Sequence, residues 1–282
     1  MGSRRVAVLD RGTVTLVDPA AAVFSAFDLG PARGDGVFET MLVRRGVALK
    51  PEAHLDRLAR SAALMGLFSP PLADWARLID LLATTHADGE AALKLMLTRG
   101  IEGVSDHTAV GTLSPLAPDV LEQRRRGIAV VTLTLGLPAD LRATSPWLLG
   151  GVKYLSYAVN MAAQRHARAL GADDAVFISL DGRLLEGPTS TIVWARDGTL
   201  HTPPLEIGIL PGTTQALLFT RADAAGLGTA MSLGIVADLH AADGVWLVSS
   251  VRGAAAVTSL DGLRRGDAGL TPTIQELTGV TT

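Results

Sequence analysis

Short apolar segments joined by two-residue turns recur along this chain and restrict what it can fold into. Asp35-Gly36 leads into a strand-like segment at 37–43, Arg45-Gly46 into 47–49 and Asp181-Gly182 into Leu184-Leu185, while Asp197-Gly198 follows the run 191–195. Dipeptides of this kind accept the positive φ that tight hairpins require, so the segments they join read as neighbouring antiparallel strands. A doubly wound parallel sheet needs a helical crossover between consecutive strands, and this pattern argues against it.

Helical periodicity appears between the hairpins rather than in strict alternation with them. Pro51 opens a segment in which Leu55, Leu58, Ala62 and Met65 recur at three- and four-residue spacing, stopped by Gly66. Further helices are expected at 73–85, at 156–170 before Gly171, and at 213–225 between Pro211-Gly212 and Gly226. Strands are expected at 6–9, 14–17, 91–98, 128–135, 175–179 and 191–195, with a buried one at 245–249. Together these predict a mixed α+β chain. At 282 residues it exceeds the usual size of one domain. The polar, proline-punctuated stretch SPLAPDVLEQRRRG (114–127) is the expected seam. It divides a smaller N-terminal α/β domain (1–122) and a linker (123–129) from a larger C-terminal domain (130–282).

Composition narrows the function classes. With 48% hydrophobic and 19% charged residues the chain can bury enough surface to fold, and no run reaches the ~18 apolar residues of a membrane helix. Acidic residues outnumber basic ones by 28 to 25, a formal net charge of −3, so no partnership with nucleic acid or membrane is expected. Arg124, Arg125 and Arg126 read as a solvated turn or linker. Cysteine is absent, which excludes disulfides, thiolate metal sites and a cysteine nucleophile. The six histidines have no paired ligand spacing, and no metal is expected. The opening MGSRRVAVLDRG has too short an apolar run for a secretory signal, and Val6 stands where a myristoylation signal has Ser or Thr. A cytoplasmic location is expected.

Amines are scarce. Lys50, Lys94 and Lys153 are the only lysines, and the remaining Lys/Arg positions are arginine, which does not deprotonate near neutrality. Lys50 precedes Pro51 in a loop and Lys94 lies among alternating leucines; both are expected to be solvated. Lys153, in GGVKYLSYAVN, is brought in by two glycines ahead of an apolar helix, where burial would depress its pKa; a solvated helix-start lysine is the plainer alternative. In RLLEGPTSTIVW, Glu186 ends a buried strand and needs a partner, either an N-cap or arginine, or a protonated ring nitrogen. In ILPGTTQALL, Gly212, Thr213 and Thr214 open a helix whose N–H groups and dipole favour an anion. Arg57, in HLDRL, lies on an amphipathic helix, where a surface arginine is the plain alternative. An amine, an acid for a ring nitrogen and a phosphate site match one small molecule, pyridoxal 5'-phosphate.

RGDGVFET (33–40), HLDRL (54–58), LTRG (97–100), Lys153 with Tyr157 and Asn160, LEGPTST (185–191) and ILPGTT (209–214) follow the order and spacing of class IV aminotransferases. The chain resembles these fold-type IV pyridoxal phosphate enzymes over nearly its whole length. The resemblance implies that Lys153 forms the Schiff base, that Glu186 pairs with the pyridine nitrogen, and that Arg57, Thr213 and Thr214 hold the phosphate. It places Leu210 on the ring with Tyr157 nearby. It also implies a mixed sheet or barrel in the C-terminal domain and a homodimer whose sites borrow residues from the partner.

Three activities share this frame. D-amino acid aminotransferases have tyrosine where this chain has Phe38, and a Pro-Arg-x-His element where it reads IEGVSDH (101–107). Branched-chain enzymes have glycine in place of Thr40. Threonine there resembles 4-amino-4-deoxychorismate lyases, in which it is proposed to donate a proton to departing pyruvate, although the GGRGY-like segment of many lyases is missing. LEGPTSTIVW and SSVRGA (249–254) also resemble actinobacterial lyases. The resemblance therefore implies a small-molecule amino substrate that loses pyruvate to give 4-aminobenzoate for folate synthesis, with Lys153 and Thr40 catalytic and Phe38 against the substrate. Arg252 and Arg99 are the candidates for its carboxylates, with structural ion pairs as the equal alternative. Transamination of a D- or branched-chain amino acid stays open, as does a protein that binds the cofactor without turnover.

Overall fold

The computed structural model describes residues 4–104 and 106–281; Met1–Ser3 of the opening segment and Ser105 of IEGVSDH lie outside the described residues. The chain groups into two compact units, residues 1–117 with 152–157, and residues 118–151 with 158–282.

The first unit contains β1 (Arg5–Asp10), β2 (Thr13–Val17), α1 (Leu29–Arg33), β3 (Gly36–Arg44), β4 (Val47–Ala48), α2 (Pro51–Leu64), α3 (Leu72–Thr84), β5 (Glu90–Thr98) and β6 (Thr108–Pro115). Its sheet runs β2-β1-β6-β5-β3-β4, with neighbours antiparallel throughout. The β3–β4 hairpin turns on Arg45 and Gly46 at φ 50° and 79°, the left-handed pair that matches strand twist. β3 and β5 pair without a break from Gly36 opposite Thr98 to Arg44 opposite Glu90. Period-two alternation then sends Val37, Glu39, Met41 and Val43, with Ala91, Leu93, Leu95 and Leu97, to the face covered by α2 and α3. The helices answer with Leu55, Leu58 and Ala62, and with Trp75, Leu78, Ile79 and Leu82, all buried. On the opposite face Phe38 is buried, and Thr40, Lys94 and Met96 are half-buried.

Residues 152–157 run along β3. Phe38 N–H donates to the Lys153 carbonyl at 2.9 Å, and Leu155 N–H to the Gly36 carbonyl at 2.8 Å. Gly36 permits this approach, since a Cβ there would stand 2.5 Å from the Leu97 carbonyl oxygen and 2.6 Å from Leu155 Cδ1. The lysine segment, expected within the C-terminal domain, is thus tied by backbone bonds to the first unit.

The second unit contains α4 (Pro118–Arg126), β7 (Ile128–Thr134), α5 (Leu141–Thr144), α6 (Ala158–Ala169), β8 (Asp174–Ile178), β9 (Thr191–Arg196), β10 (Thr199–Thr202) and α7 (Thr213–Arg221). β11 (Gly228–Met231), α8 (Val236–Ala241), β12 (Gly244–Ser249), β13 (Gly253–Leu260), β14 (Leu263–Arg264) and α9 (Thr271–Thr278) complete it. Its sheet runs β11-β10-β9-β12-β13-β7-β8, with β14 on β13. The pairs β10–β11, β13–β7 and β7–β8 are parallel, which makes this sheet mixed. β9 and β12 have apolar neighbours on both faces: Val245 and Leu247 pack with Ile192 and Trp194, and Trp246 and Val248 with Val193, Leu218 and Ile274. Burial on both faces explains why 245–249 is a continuous apolar run.

The architecture is α+β, as the turn pattern predicts. The stretch 123–129 is not a linker: it is the end of α4 and the start of β7. Nor do Arg124, Arg125 and Arg126 form a solvated turn. They close α4, and Arg124, 3% exposed, donates to the carbonyls of Val251 and Arg252. A run of charge suggested solvent, but a guanidinium also satisfies buried carbonyls of the β12–β13 connection. The helix expected over 213–225 is α7 followed by a 3-10 turn at Ala222–Ala225. No described helix is long and apolar enough to cross a membrane.

Candidate active site

In the first unit, backbone pairing with β3 sets Lys153 beside aromatic rings. The residue is buried, with Nζ 4.5 Å from the centroid of Phe38 and 5.6 Å from that of Tyr157. The two rings meet edge to face at 5.0 Å. Lys153 N–H donates to Ser61 Oγ of α2 at 3.2 Å. The solvated alternative does not describe this lysine. Thr40 lies two residues beyond Phe38 on the same strand face and is directly opposite Lys94 of β5.

Lys94 is half-buried rather than fully solvated. Its Nζ lies 4.7 Å from the Phe38 centroid, and burial pushes its amine below the ordinary lysine range. Alternating leucines mark one buried face of β5, but the face between them turns toward Phe38 and Thr40. Among the described residues no acidic side chain forms an ion pair with Lys94.

Arg57 is 4% exposed, not a surface residue. Its Nε donates to Glu39 Oε1 at 2.6 Å and its Nη2 to Glu39 Oε2 at 2.7 Å; His54 Nδ1 lies 2.7 Å from Oε2. Burial alone raises the Glu39 carboxyl, and the charge of Arg57, then its hydrogen bonds and those of His54, overcome that and hold it at about 2. For His54, burial lowers the imidazole more than Glu39 raises it, with Arg57 and Lys50 adding to the lowering. The ring is therefore neutral near neutrality, with Nδ1–H donating to Glu39.

Arg99 is spent within its own unit, on Asp35 at 2.7 Å and on the carbonyls of Met65 and Gly66. In the second unit Arg252 donates to Asp174 at 2.9 Å and to Gln123 at 3.2 Å. Both arginines adopt the structural ion pair that was the alternative to a carboxylate-binding role.

Glu186, also in the second unit, accepts from Arg142 Nη1 at 3.0 Å on Oε1 and from the Leu210 backbone N–H at 3.0 Å on Oε2. Each oxygen keeps a lone pair for a further donor. Leu210 is thereby anchored through its main chain. Thr213 Oγ1 lies 3.1 Å from Ser250 Oγ, and Thr214 Oγ1 donates to the same oxygen at 3.4 Å. These hydroxyls stand at the start of α7, where Gly212 supplies no side-chain cap and a Cβ on it would meet Thr191 Oγ1 at 2.4 Å. The first N–H groups of that helix have no side-chain acceptor from the cap, the arrangement that suits an anion. Asn160 Nδ2 donates to the Pro188 carbonyl at 2.7 Å and ties α6 to the LEGPTST loop.

Within the first unit, a buried amine among rings suits an aldehyde; within the second, an uncapped helix start with three hydroxyls suits a phosphate and a carboxylate with open lone pairs suits a ring nitrogen, the three groups that pyridoxal 5'-phosphate carries. Four residues had no role assigned from the sequence, Glu39, His54, Arg142 and Ser250, and Lys94 was assigned to solvent. Glu39 was discoverable as the lone acid in the inward row of β3, and His54 as the residue one helical turn before Arg57. Nothing in the sequence singles out Arg142.

Comparison with known proteins agrees with this chemistry. The family model described as amino-transferase class IV matches residues 36–260. A bifunctional aminodeoxychorismate lyase / D-amino acid transaminase from Mycobacterium tuberculosis is 47% identical over 261 residues, 88% of this chain and 90% of that one. Among solved structures, a hypothetical aminotransferase from Mycobacterium tuberculosis in its PLP-bound form superposes with a TM-score of 0.94 at 44% identity, covering 98% of this chain and 97% of the other. A fold IV-transaminase from Curtobacterium pusillum gives 0.91 at 40% identity, with 98% and 97% covered. The matched motifs and the relatives that share them place this chain in the class IV aminotransferase family, the fold-type IV enzymes of pyridoxal 5'-phosphate.

Proposed function

We propose that this enzyme is a 4-amino-4-deoxychorismate lyase that forms 4-aminobenzoate and pyruvate, working as a homodimer. The observation that carries the reading is Thr40: a hydroxyl on the strand face that presents Phe38, the ring beside Lys153 Nζ. Pyridoxal 5'-phosphate, when bound, supplies an aldehyde for the amine and a ring that accepts electrons. Lys153 Nζ takes the proton from the substrate carbon that bears the amine. The ether bond to the departing three-carbon unit then breaks, Thr40 Oγ gives that unit its proton as it leaves as pyruvate, and the carbocycle becomes aromatic. Lys94, half-buried on the same face, is the cation for a substrate carboxylate in place of Arg99 and Arg252. Glu186 holds the ring nitrogen, while Arg57, Thr213 and Thr214 hold the phosphate.

A second reading is favoured by the name of the 47%-identical relative: transamination of a D-amino acid by the same residues. One assay tests both. Purified protein is incubated with aminodeoxychorismate while 4-aminobenzoate and pyruvate are followed, and in parallel with D-alanine and 2-oxoglutarate. Stoichiometric 4-aminobenzoate and pyruvate are expected. Their absence beside steady formation of glutamate would replace the lyase with the transaminase.

A further inference from the structure

The Arg57 pairing contains more than a phosphate ligand needs. Glu39 is 0% exposed and sits in a row otherwise made of Val37, Met41 and Val43; His54 is also 0% exposed. Among the described residues His54 Nε2 has no hydrogen-bond partner, so this residue leaves a polar atom bare in the core. A buried ion pair is weak ground for stability, because well-packed apolar residues serve a fold as well or better. What the pair does supply is orientation. A guanidinium on a flexible stem is locked when one carboxylate takes its Nε–Nη2 edge in two parallel bonds. His54 and Arg57, three residues apart on one face of α2, reach the same carboxylate from the same helix.

We infer that Glu39 and His54 are positioning residues: Glu39 clamps the Arg57 guanidinium in the orientation that receives the cofactor's phosphate, and His54 holds the Glu39 carboxylate in place. This rests on the reading of Arg57 as a phosphate ligand. Neither residue touches the reacting atoms. Both act through Arg57, and their loss should be felt only by ligands that carry a phosphate.

The test uses the full chain stripped of cofactor and titrated separately with pyridoxal 5'-phosphate and with unphosphorylated pyridoxal, followed by tryptophan fluorescence. E39Q should weaken pyridoxal phosphate about tenfold and leave pyridoxal within about twofold, the scale of one charge-assisted contact set askew. Added to R57M, E39Q should weaken binding no further. Equal loss for both ligands, no loss at all, or an undiminished effect in the R57M background would overturn the inference. If R57M itself binds both ligands as the parent does, Arg57 is not the phosphate ligand, and the failure lies in the role given to Arg57. Should E39Q not fold, H54L and H54N carry the test. Asparagine keeps a donor where Nδ1 stands, so H54N should retain phosphate-selective binding and H54L should lose about threefold. Identical behaviour of the two would refute the role of His54 and, with it, the clamp.

Discussion

Each unit sets a carboxylate against an arginine, and the two pairs differ in what they leave open. Glu39 in the first unit is fully enclosed and takes two bonds from Arg57 and one from His54. Glu186 in the second has a side chain 15% exposed and takes one bond from Arg142 and one from a backbone N–H. A saturated, enclosed acid orients its neighbours. One with lone pairs to spare and some access can meet a ligand. Two carboxylates in family motifs therefore differ in what their surroundings leave open, and the tasks proposed for them follow that difference rather than residue type.

The largest expected effect concerns Lys153, the buried amine beside Phe38 and Tyr157 in the first unit. K153A should lose the yellow colour of the bound cofactor and at least about 10⁴-fold in turnover, the upper end of what a positioned proton-transfer group contributes. Persistence of either in the variant would remove the lysine from the chemistry.

Substituting the two acids tests the contrast directly. E39Q should cost about 3–5 kcal/mol of stability in urea denaturation, as expected for a broken buried pair. E186Q should cost ~1 kcal/mol of stability and yet lower turnover by about 100-fold. Similar stability losses would erase the distinction. The pH profile sharpens it: Glu39 is depressed in the folded state, so its contribution is complete above 4.5 and is lost as pH falls toward about 2. E39Q should flatten that part of the acid limb.

Replacing Thr40 separates the two activities of the proposed site. T40A should lower 4-aminobenzoate formation by about 100-fold, the lower range for a proton donor, and leave D-alanine transamination within about threefold. A parallel fall in both would make Thr40 structural.

The smallest effect belongs to His54. Its folded-state pKa is depressed, so its contribution to stability is complete above 6.5 and declines as pH falls below it. Asparagine does not titrate, so H54N should flatten this decline, read from denaturation midpoints at a series of pH values. An unchanged profile would mean that His54 titrates as in the unfolded chain.

Much of the fold was legible because period-two alternation and hairpin turns are local. β3, β5 and α2 lie within a residue or two of where the pattern predicts them. β6 was missed because Gly111 and its Thr and Ser neighbours dilute the alternation, and α4 because a run of arginines looks like solvent until its carbonyl partners are seen. Lys153, Glu186 and the helix start at Thr213 were legible as chemistry. The partners that qualify them were not.

The sequence by itself determined the class of fold, the short list of amines and the family, since each is written in local spacing or in motif order. Only the tertiary structure decided which charges are already spent. Arg99 and Arg252, for which a substrate carboxylate and a structural ion pair were equal readings, pair with Asp35 and Asp174, whereas Lys94, expected in solvent, faces Phe38 without an acidic partner among the described residues. Charge is a property of the residue, but its availability depends on neighbours brought together from distant parts of the chain.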